Sequence, residues 1–493
     1  MSTDTEHLRS AGTEPPRLRH RILRAGGWVT AGFVLDKVIA ALQLVVLARL
    51  LTPADFGLMA ASAIVLMALM TVSEVGLEPA LVARQAKVRR EDLAVAWSLS
   101  LSRGCVLAAV LWVGAGVVAD FFRMPALVPF LRVHAVALIL QGAQSPALAL
   151  LLRNLHLRQR VSLDLTRRVV EAAVTIGLAL WLHSAWALLM GQLVGFGVGC
   201  VGSYVVAPFR PHLAWDVPAL RRFLWYAKYA NLTSLFAFGV VSGGEFVIGR
   251  VLGIEALGVY QVAMAIPMLI GVRASLMLNQ ISFPAYAMLR HDRAGMLRAF
   301  SLQIGLVGLL LVPLGAGLAV LAPELVPVLF GPRWLPTVEP LRILSLYAVG
   351  AGFAGVMSSL HYGLNRPDVQ TRLWAIQFVV FAILIVPLTT RFGVSGAATA
   401  LALSFGVAVM LNIVATVRLL GAESRIAFWP LGRIGLLAGA LAGIVVALRG
   451  LHPEPTPWWL LGAWLVVGVG TYALYLWWVE YPRLRALWVK QPG

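Results

Sequence analysis

Long apolar runs separated by short polar breaks extend over almost the whole chain. A helix needs about 20 apolar residues to cross the hydrocarbon core of a bilayer, and most of the runs reach that length. The pattern predicts fourteen transmembrane helices, at approximately 27–49, 56–83, 93–119, 127–152, 166–183, 186–207, 223–249, 256–289, 300–322, 338–363, 371–390, 393–417, 432–449 and 458–479. Membrane-barrel strands alternate apolar and polar residues, and these runs do not. The predicted fold class is therefore all-α and integral to a membrane.

One helical hairpin occurs twice. In LQLVVLARLLTPADFGLMAAS, residues 42–62, an apolar helix ends at Arg49 and a second begins at Phe56, after a break that contains Pro53 and Asp55. A related segment, IGRVLGIEALGVYQVA, follows 201 positions later. Three pairs of identical residues share that spacing: Arg49 and Arg250, Leu51 and Leu252, and Gly57 and Gly258. We infer that the two halves of the chain are structural repeats.

The repeat predicts how the chain is divided. The two hairpins are six crossings apart, and an even number of crossings preserves direction, so the halves form a parallel repeat about an axis along the membrane normal. The prediction is an N-terminal tail (1–24), an N-lobe of six helices (25–207), a connection (208–222), a C-lobe of six helices (223–420), two further helices (421–480) and a C-terminal tail (481–493).

Composition supports a membrane protein and opposes nucleic-acid binding. Apolar residues make up 60% of the chain and charged residues 13%, whereas globular domains have about 45–50% and about 25%. The net charge of +18 could indicate a nucleic-acid partner, but most basic residues fall in alternate connections between apolar runs. The positive-inside rule explains that distribution and predicts that both termini are cytoplasmic.

Charged residues inside the apolar runs are the candidate functional groups. A charge at mid-bilayer costs about 2.5–3.5 kcal/mol on the insertion scale, so these side chains are expected to face protein or a water-filled cavity. Eight lie within or near the ends of predicted spans: Asp36, Lys37, Glu74, Glu78, Arg103, Glu171, Glu245 and Arg273. The polar stripes are concentrated on the first, second, seventh and eighth predicted helices, which are the two copies of the hairpin.

Both signs of charge have a candidate role in a shared cavity. Four cations could bind an anionic ligand such as a phosphate, because basic groups donate charge-assisted hydrogen bonds to its oxygens: Lys37, Arg49, Arg250 and Arg273. Four carboxylates could exchange a proton or sodium ion during transport: Asp36, Glu74, Glu78 and Glu245. Alternatively, Arg49 and Arg250 satisfy carbonyls at helix C-termini, and the acidic residues pair with neighbouring cations.

Motifs of enzymes and of ATP-driven pumps are missing from the sequence. There is no Walker loop, nucleotide-binding fold, zinc-ligand spacing or HExxH. We therefore expect no cofactor, no metal site and no enzymatic activity. Any energy source is then an ion gradient or the gradient of the substrate.

Three segments resemble a known family: LARLLTPADFGLMA with the following SEVGLEPALVARQ, ALLLRNLHLRQRVSLDLTRRVVEAAVTIGLAL, and RFGVSGAATALAL. They are similar to the bacterial polysaccharide-transporter family, whose members are Wzx-type flippases for lipid-linked repeat units of O-antigen and exopolysaccharide. The family belongs to the multidrug/oligosaccharidyl-lipid/polysaccharide (MOP) exporter superfamily. The resemblance covers residues 27 to about 420.

The resemblance implies two six-helix lobes around a central cavity, with two additional C-terminal helices, in the bacterial inner membrane. The implied substrate is an undecaprenyl-diphosphate-linked oligosaccharide, which moves from the cytoplasmic to the periplasmic leaflet. We expect alternating access by movement of the two lobes, coupled to H⁺ or Na⁺. The expected partners are membrane lipids and the polymerase and chain-length proteins of the same pathway. Cationic cavity residues would hold the diphosphate.

Three alternatives remain at the sequence level. A cation-coupled multidrug antiporter of the same superfamily usually has twelve helices and a more acidic or apolar cavity. The lipid II flippase has fourteen helices, but its opening segment does not match. A membrane-bound polysaccharide polymerase or ligase needs a large outer loop, and the predicted outer loops are short.

Overall fold

The computed structural model describes residues 16–73, 89–153, 156–214, 217–268, 282, 286, 288–289, 291–421, 423–424, 428–450 and 470. These residues form helices, turns and bends without a β-strand, which confirms the predicted all-α class. The predicted span 458–479, apart from Gly470, lies outside the described residues. So do residues 74–83 of the second predicted span and 269–281, 283–285 and 287 of the eighth, which include Glu74, Glu78 and Arg273.

The helices of the described part follow the apolar runs. In chain order they are α1 Pro16–Leu50, α2 Pro53–Val72, α3 Arg90–Phe122, α4 Leu127–Gly142, α5 Leu148–Arg153, α6 Leu157–Leu182, α7 Trp186–Val206, α8 Val217–Val251, α9 Ile254–Pro267, α10 Arg293–Leu329, α11 Val338–Gly363, α12 Pro367–Leu420 and α13 Trp429–Gly450. A 3₁₀ helix, Pro332–Thr337, precedes α11. Among the described helices, eight are long and apolar enough to cross a membrane.

Two predicted spans lie within the single element α12. The predictions ended one span at 390 and began the next at 393, and Gly393 breaks α12 there with φ 60° and ψ −139°. A Cβ on Gly396 would lie 1.9 Å from the Leu388 carbonyl oxygen, so the chain turns back tightly at this point. Glycine permits both the left-handed backbone and the close approach. α12 therefore comprises two helices joined at Gly393.

The fourth predicted span, 127–152, is divided into α4 and α5 by a break that contains Pro146. Polar side chains of neighbouring helices bind the backbone exposed by this break: Trp97 Nε1 and Tyr204 Oη both donate to the Ala143 carbonyl. The hydroxyl of Ser203 accepts from Ser145 N at 2.9 Å. Backbone groups inside a bilayer need such internal partners. Hydropathy alone could not show the break, because its flanks are apolar.

The chain divides into two compact units. The first contains residues 1–51 and 65–231, and the second contains 52–64 and 232–493. In the first unit α6 packs against both α1 and α7, and α4 packs against α3 and α7. In the second, α11 packs against α9, α10 and α12, around a core that includes Phe300, Ile304 and Leu360. The division falls within α2 and α8, so the domain limits made from sequence remain a prediction.

The repeat is visible in the helix limits and in one reciprocal contact. α1 and α8 each have 35 residues, and α8 and α9 begin 201 positions after α1 and α2. Within the second unit, a Cβ on Gly57 would lie 1.9 Å from the Ile254 oxygen, and one on Gly258 would lie 1.8 Å from the Pro53 oxygen. Each of these contacts is the repeat-related copy of the other. The repeat of the opening hairpin is thus present in the structure, and the parallel arrangement of the two halves stays a prediction.

The two copies begin their second helix with different caps. In the first copy, the Asp55 carboxylate accepts from Thr52 N at 2.9 Å and from Thr52 Oγ1 at 2.6 Å. In the second, Gly253 stands at the position of Thr52 with φ 89° and ψ −171°. A side-chain cap and a glycine conformation thus both place the helix starts that bring Gly57 and Gly258 together.

Candidate functional site

The candidate site in the first unit lies between α1 and α6. Arg158 stacks over the Trp28 ring at 5.2 Å from its centroid, a Cβ on Gly32 would lie 2.2 Å from Val161 Cγ1, and Asp36 faces Arg168. Residue numbers increase in the same direction on both helices, so α1 and α6 are parallel. Helices four crossings apart in an alternating membrane protein must be parallel, as observed.

Five charged residues meet at this contact, and we call them the α1–α6 charge cluster: Asp36, Lys37, Arg167, Arg168 and Glu171. Arg168 Nη1 is 3.0 Å from Glu171 Oε1, and Arg168 Nε is 3.7 Å from Asp36 Oδ1. Lys37 Nζ pairs with Asp36 Oδ2. The Arg168 side chain is 25% exposed and that of Glu171 is 13% exposed. The cluster is thus half-buried between α1 and α6.

Arg167 is held differently from its neighbour. Its guanidinium stacks over the Phe196 ring of α7 at 4.6 Å from the centroid, and its charge is close enough to act on Glu171. Three cations therefore face two carboxylates. The surplus positive charge makes the cluster suited to an anion, since forked guanidinium donors match phosphate oxygens.

Glycines of α7 provide the space for these side chains. Gly191, Gly195 and Gly199 lie four residues apart and form one face of α7. Their added Cβ atoms would lie 1.8 Å from Thr175 Oγ1, 3.0 Å from Glu171 Cβ and 3.2 Å from Arg167 Cδ, respectively. The contact steps backwards along α6, so the two helices are antiparallel and closely packed. Small residues at such spacing allow membrane helices to approach closely.

The structure places some of the sequence candidates together. Asp36 and Lys37 belong to the charge cluster, as does Glu171, which the sequence had marked as an intramembrane charge. Arg49 lies in the last turn of α1 and Arg250 in the last turn of α8, where a cation interacts favourably with the helix dipole. Arg103 donates to the Ser73 carbonyl at 3.2 Å, just beyond the end of α2, which is a structural role. Glu74, Glu78 and Arg273 lie outside the described residues.

Sequence reasoning missed Arg167 and Arg168, which it counted among the cytoplasmic basic residues although they fall at the start of the predicted span 166–183. The structure starts α6 at Leu157, so these arginines lie about ten residues, or about 15 Å, inside the helix. A signal was present in the sequence. Arg167 and Glu171 are four apart and Arg168 and Glu171 are three apart, which places one carboxylate beside both guanidiniums on a helix.

Glu245, the acidic candidate of the second unit, lies on α8 close to two buried tyrosines. Its charge is near enough to act on Tyr260 of α9 and Tyr347 of α11, which are each 1% exposed. A Cβ on the adjacent Gly244 would lie 3.5 Å from the Tyr260 hydroxyl oxygen. A carboxyl beside two phenols in an apolar helix bundle can hold a proton or coordinate a small cation.

Metal binding by a larger group of ligands finds no support in the described part of the chain. No group of three or more His, Cys, Asp or Glu side chains there is arranged to hold a metal ion.

Comparison with known sequences decides the family. Residues 46–339 match a family described as polysaccharide biosynthesis protein. The chain belongs to this family. Relatives include the lipopolysaccharide biosynthesis protein WzxC of Escherichia coli K12, 21% identical over 363 residues, which are 72% of each chain. The succinoglycan biosynthesis transport protein ExoT of Rhizobium meliloti is 28% identical over 307 residues, 61% of each chain.

A third relative and the solved structures agree with this membership. The probable low-salt glycan biosynthesis flippase Agl15 of Haloferax volcanii is 28% identical over 294 residues, 56% of this chain and 59% of the relative. The lipid II flippase MurJ, in an inward closed conformation, superposes with a TM-score of 0.74 at 11% identity, over 92% of this chain and 99% of that one. An inward-facing MATE multidrug resistance transporter of the MOP superfamily gives 0.63 at 15% identity, over 81% and 96%.

The structural matches establish the fold of this family member. It is a multi-pass membrane protein with the fold of MOP-superfamily transporters, as the sequence resemblance implied. Its relatives and structural neighbours have transporter and flippase names, which supports the expectation that the chain is not an enzyme.

Proposed function

We propose that the protein is a flippase for an undecaprenyl-diphosphate-linked oligosaccharide, which it moves from the cytoplasmic to the periplasmic leaflet by alternating access. The observation that carries this proposal is the half-buried α1–α6 charge cluster, in which three cations face two carboxylates. Relatives named for lipopolysaccharide and succinoglycan biosynthesis supply the class of substrate.

The physical task explains why charge belongs inside such a lobe. The sugar and diphosphate cannot cross hydrocarbon unaided, whereas the polyprenyl tail can stay in lipid. Half-buried guanidinium and ammonium groups replace part of the water lost by the diphosphate. The candidates for this contact are Lys37, Arg49, Arg250 and Arg273, together with the two arginines of the cluster.

We further propose that transport is coupled to H⁺ or Na⁺. Glu245, whose charge is near enough to act on Tyr260 and Tyr347, is the best-supported carboxyl for this role. Asp36 is a second candidate because it already forms ion pairs with Lys37 and Arg168. Glu74 and Glu78 remain candidates from the sequence alone.

The proposed location is the bacterial inner membrane with both termini in the cytoplasm. Support comes from the alternation of basic connections, which follows the positive-inside rule. The proposed partners are membrane lipids and the polymerase and chain-length proteins that consume the flipped repeat unit.

The decisive experiment is deletion of the gene in its host with analysis of lipid-linked saccharides. We expect loss of one surface polymer and accumulation of its unpolymerised, cytoplasm-facing lipid-linked repeat unit. Expression in strains that lack a defined flippase should restore polymer in at least one of them. Normal polymer in the deletion strain, or polymer loss without accumulation of the lipid-linked unit, would overturn the proposal.

A further inference from the structure

We propose that Arg167 and Arg168 form an anion-binding site whose empty state is maintained by Asp36 and Glu171, so that the arriving anion replaces these carboxylates. This inference rests on the proposed flippase function and assigns the diphosphate to a specific pair of arginines. Neither arginine is among the candidates chosen from the sequence.

Arg168 has only part of its donor set hydrogen-bonded. Its Nη1 has a hydrogen bond to Glu171 at 3.0 Å, but the 3.7 Å separation of its Nε from Asp36 is too long for one. Its Nε is buried, and no acceptor within the described residues lies in hydrogen-bonding distance of it. Full pairing of a guanidinium with a carboxylate is bidentate and shorter. Arg168 therefore has an unused donor, which can bind an oxygen only when the side chain changes its partners.

Arg167 contributes an adjacent donor group. Its guanidinium carbon lies over the Phe196 ring at 4.6 Å from the centroid, and attraction of a cation to the ring face needs none of its N–H groups as hydrogen-bond donors. Its acidic neighbour is Glu171, which Arg168 also contacts. One carboxylate cannot satisfy two forked cations completely. A diphosphate, with several non-bridging oxygens, can accept from both.

The two carboxylates act as internal competitors of the anion. While the site is empty, they lower the cost of keeping the cations half-buried. When a diphosphate binds, Asp36 can retain Lys37 while Arg168 changes its partner. Removal of a guanidinium should weaken anion binding, whereas neutralisation of Glu171 should strengthen it. A purely structural ion-pair network predicts instead that both changes impair the protein in the same way.

The test measures binding to the purified full-length protein in phosphatidylcholine nanodiscs, with undecaprenyl diphosphate as the probe and undecaprenol as the uncharged comparison. We expect Arg168→Gln and Arg167→Gln each to reduce affinity for undecaprenyl diphosphate about tenfold or more. Glu171→Gln should increase it about threefold or more. Arg168→Lys, which keeps the charge and loses the fork, should fall between Arg168→Gln and the wild type.

The matched control is Arg160→Gln. Arg160 is on the same helix and pairs with Asp164 at 3.3 Å, outside the charge cluster, so its loss should leave affinity within about twofold of the wild type. Size-exclusion profiles and thermal melts identify any variant that fails to fold. If Arg168→Gln does not fold, Arg167→Gln and Glu171→Gln still test whether affinity for undecaprenyl diphosphate falls in the first variant and rises in the second.

The outcomes separate the two proposals. If the wild type binds undecaprenol as well as undecaprenyl diphosphate, the proposed flippase function fails. If the wild type and the arginine variants prefer undecaprenyl diphosphate over undecaprenol to the same extent, the assignment to Arg167 and Arg168 fails and the flippase proposal stands. Weaker binding of undecaprenyl diphosphate by Glu171→Gln would contradict the proposed competition between the carboxylate and the anion. Inorganic pyrophosphate should displace the probe, whereas equal displacement by phosphatidylglycerol would overturn recognition of a diphosphate in favour of any lipid phosphate.

Discussion

At the scale of residues, the same kind of side chain has different roles according to its partners. Asp36 and Lys37 are adjacent, so their side chains leave the helix about 100° apart, yet they pair with each other and extend the network to Arg168. Arg103, also in a predicted span, instead binds the backbone carbonyl of Ser73. The sequence could not distinguish the roles of these charges, because a hydropathy pattern does not show which side chains come into contact.

Neutralisation of Glu245 tests ion coupling at this scale. Glu245→Gln keeps the shape and hydrogen-bonding capacity of the side chain but cannot release a proton or bind a cation as a carboxylate. In proteoliposomes, we expect transport by this variant to lose its dependence on an imposed H⁺ or Na⁺ gradient.

The control for Glu245→Gln is Glu255→Gln, an exposed position in the first turn of α9. It should respond to the gradient as the wild type does. A gradient response in Glu245→Gln equal to that of the wild type would remove Glu245 from the coupling site.

At the scale of elements, apolar runs located the helices better than they located the helix ends. α11 has the predicted limits, 338–363. α6 begins nine residues before its predicted span because polar residues can continue a helix beyond an apolar run. The split between α4 and α5 depended on Trp97, Ser203 and Tyr204, which are distant in sequence from the break. Tertiary partners of this kind are not visible to a local pattern.

The α2–α9 crossing gives a stability prediction. Gly57→Val or Gly258→Val would place side-chain atoms against backbone carbonyls that cannot move without displacing a helix. We expect each to lower the free energy of unfolding by about 1–3 kcal/mol, the usual cost of overpacking, and to lower the thermal midpoint in detergent.

Gly317→Val is the control for this crossing, since nothing lies within 4 Å of a Cβ at that position on α10. It should melt close to the wild type. Equal melting of all three variants would show that the close α2–α9 contact does not contribute to stability.

At the scale of the whole molecule, the chain repeats its opening hairpin with an offset of 201 residues, in helix limits as well as in sequence. The repeat gives equivalent positions to Arg49 and Arg250, one at the end of α1 and one at the end of α8. Equivalent positions in the two copies of the hairpin predict the same role for both cations. Their functional role is therefore best tested together.

We expect the double variant Arg49→Ala/Arg250→Ala to reduce polymer export by about a hundredfold or more while the protein still inserts at normal abundance. Loss of two charge-assisted contacts to an anion, each favourable by about 1.5–3 kcal/mol, is the physical reason. Export is measured as surface polymer per cell and insertion by membrane immunoblotting. Arg391→Ala, an exposed arginine beside the Gly393 break, is the control. Unchanged export by the double variant would exclude both arginines from the transport site.

The sequence by itself determined the class of this protein, because bilayer thickness requires apolar runs of a fixed length and each run appears in the linear order of residues. The repeat could be recognised for the same reason, since the matching residues of the two related hairpins are all 201 positions apart. Only the tertiary structure decided that Asp36 faces Arg168 and that the Gly191, Gly195 and Gly199 face makes room for Glu171 and Arg167. Charge pairing depends on which helices become neighbours, and that choice is made by packing across more than a hundred residues of intervening chain.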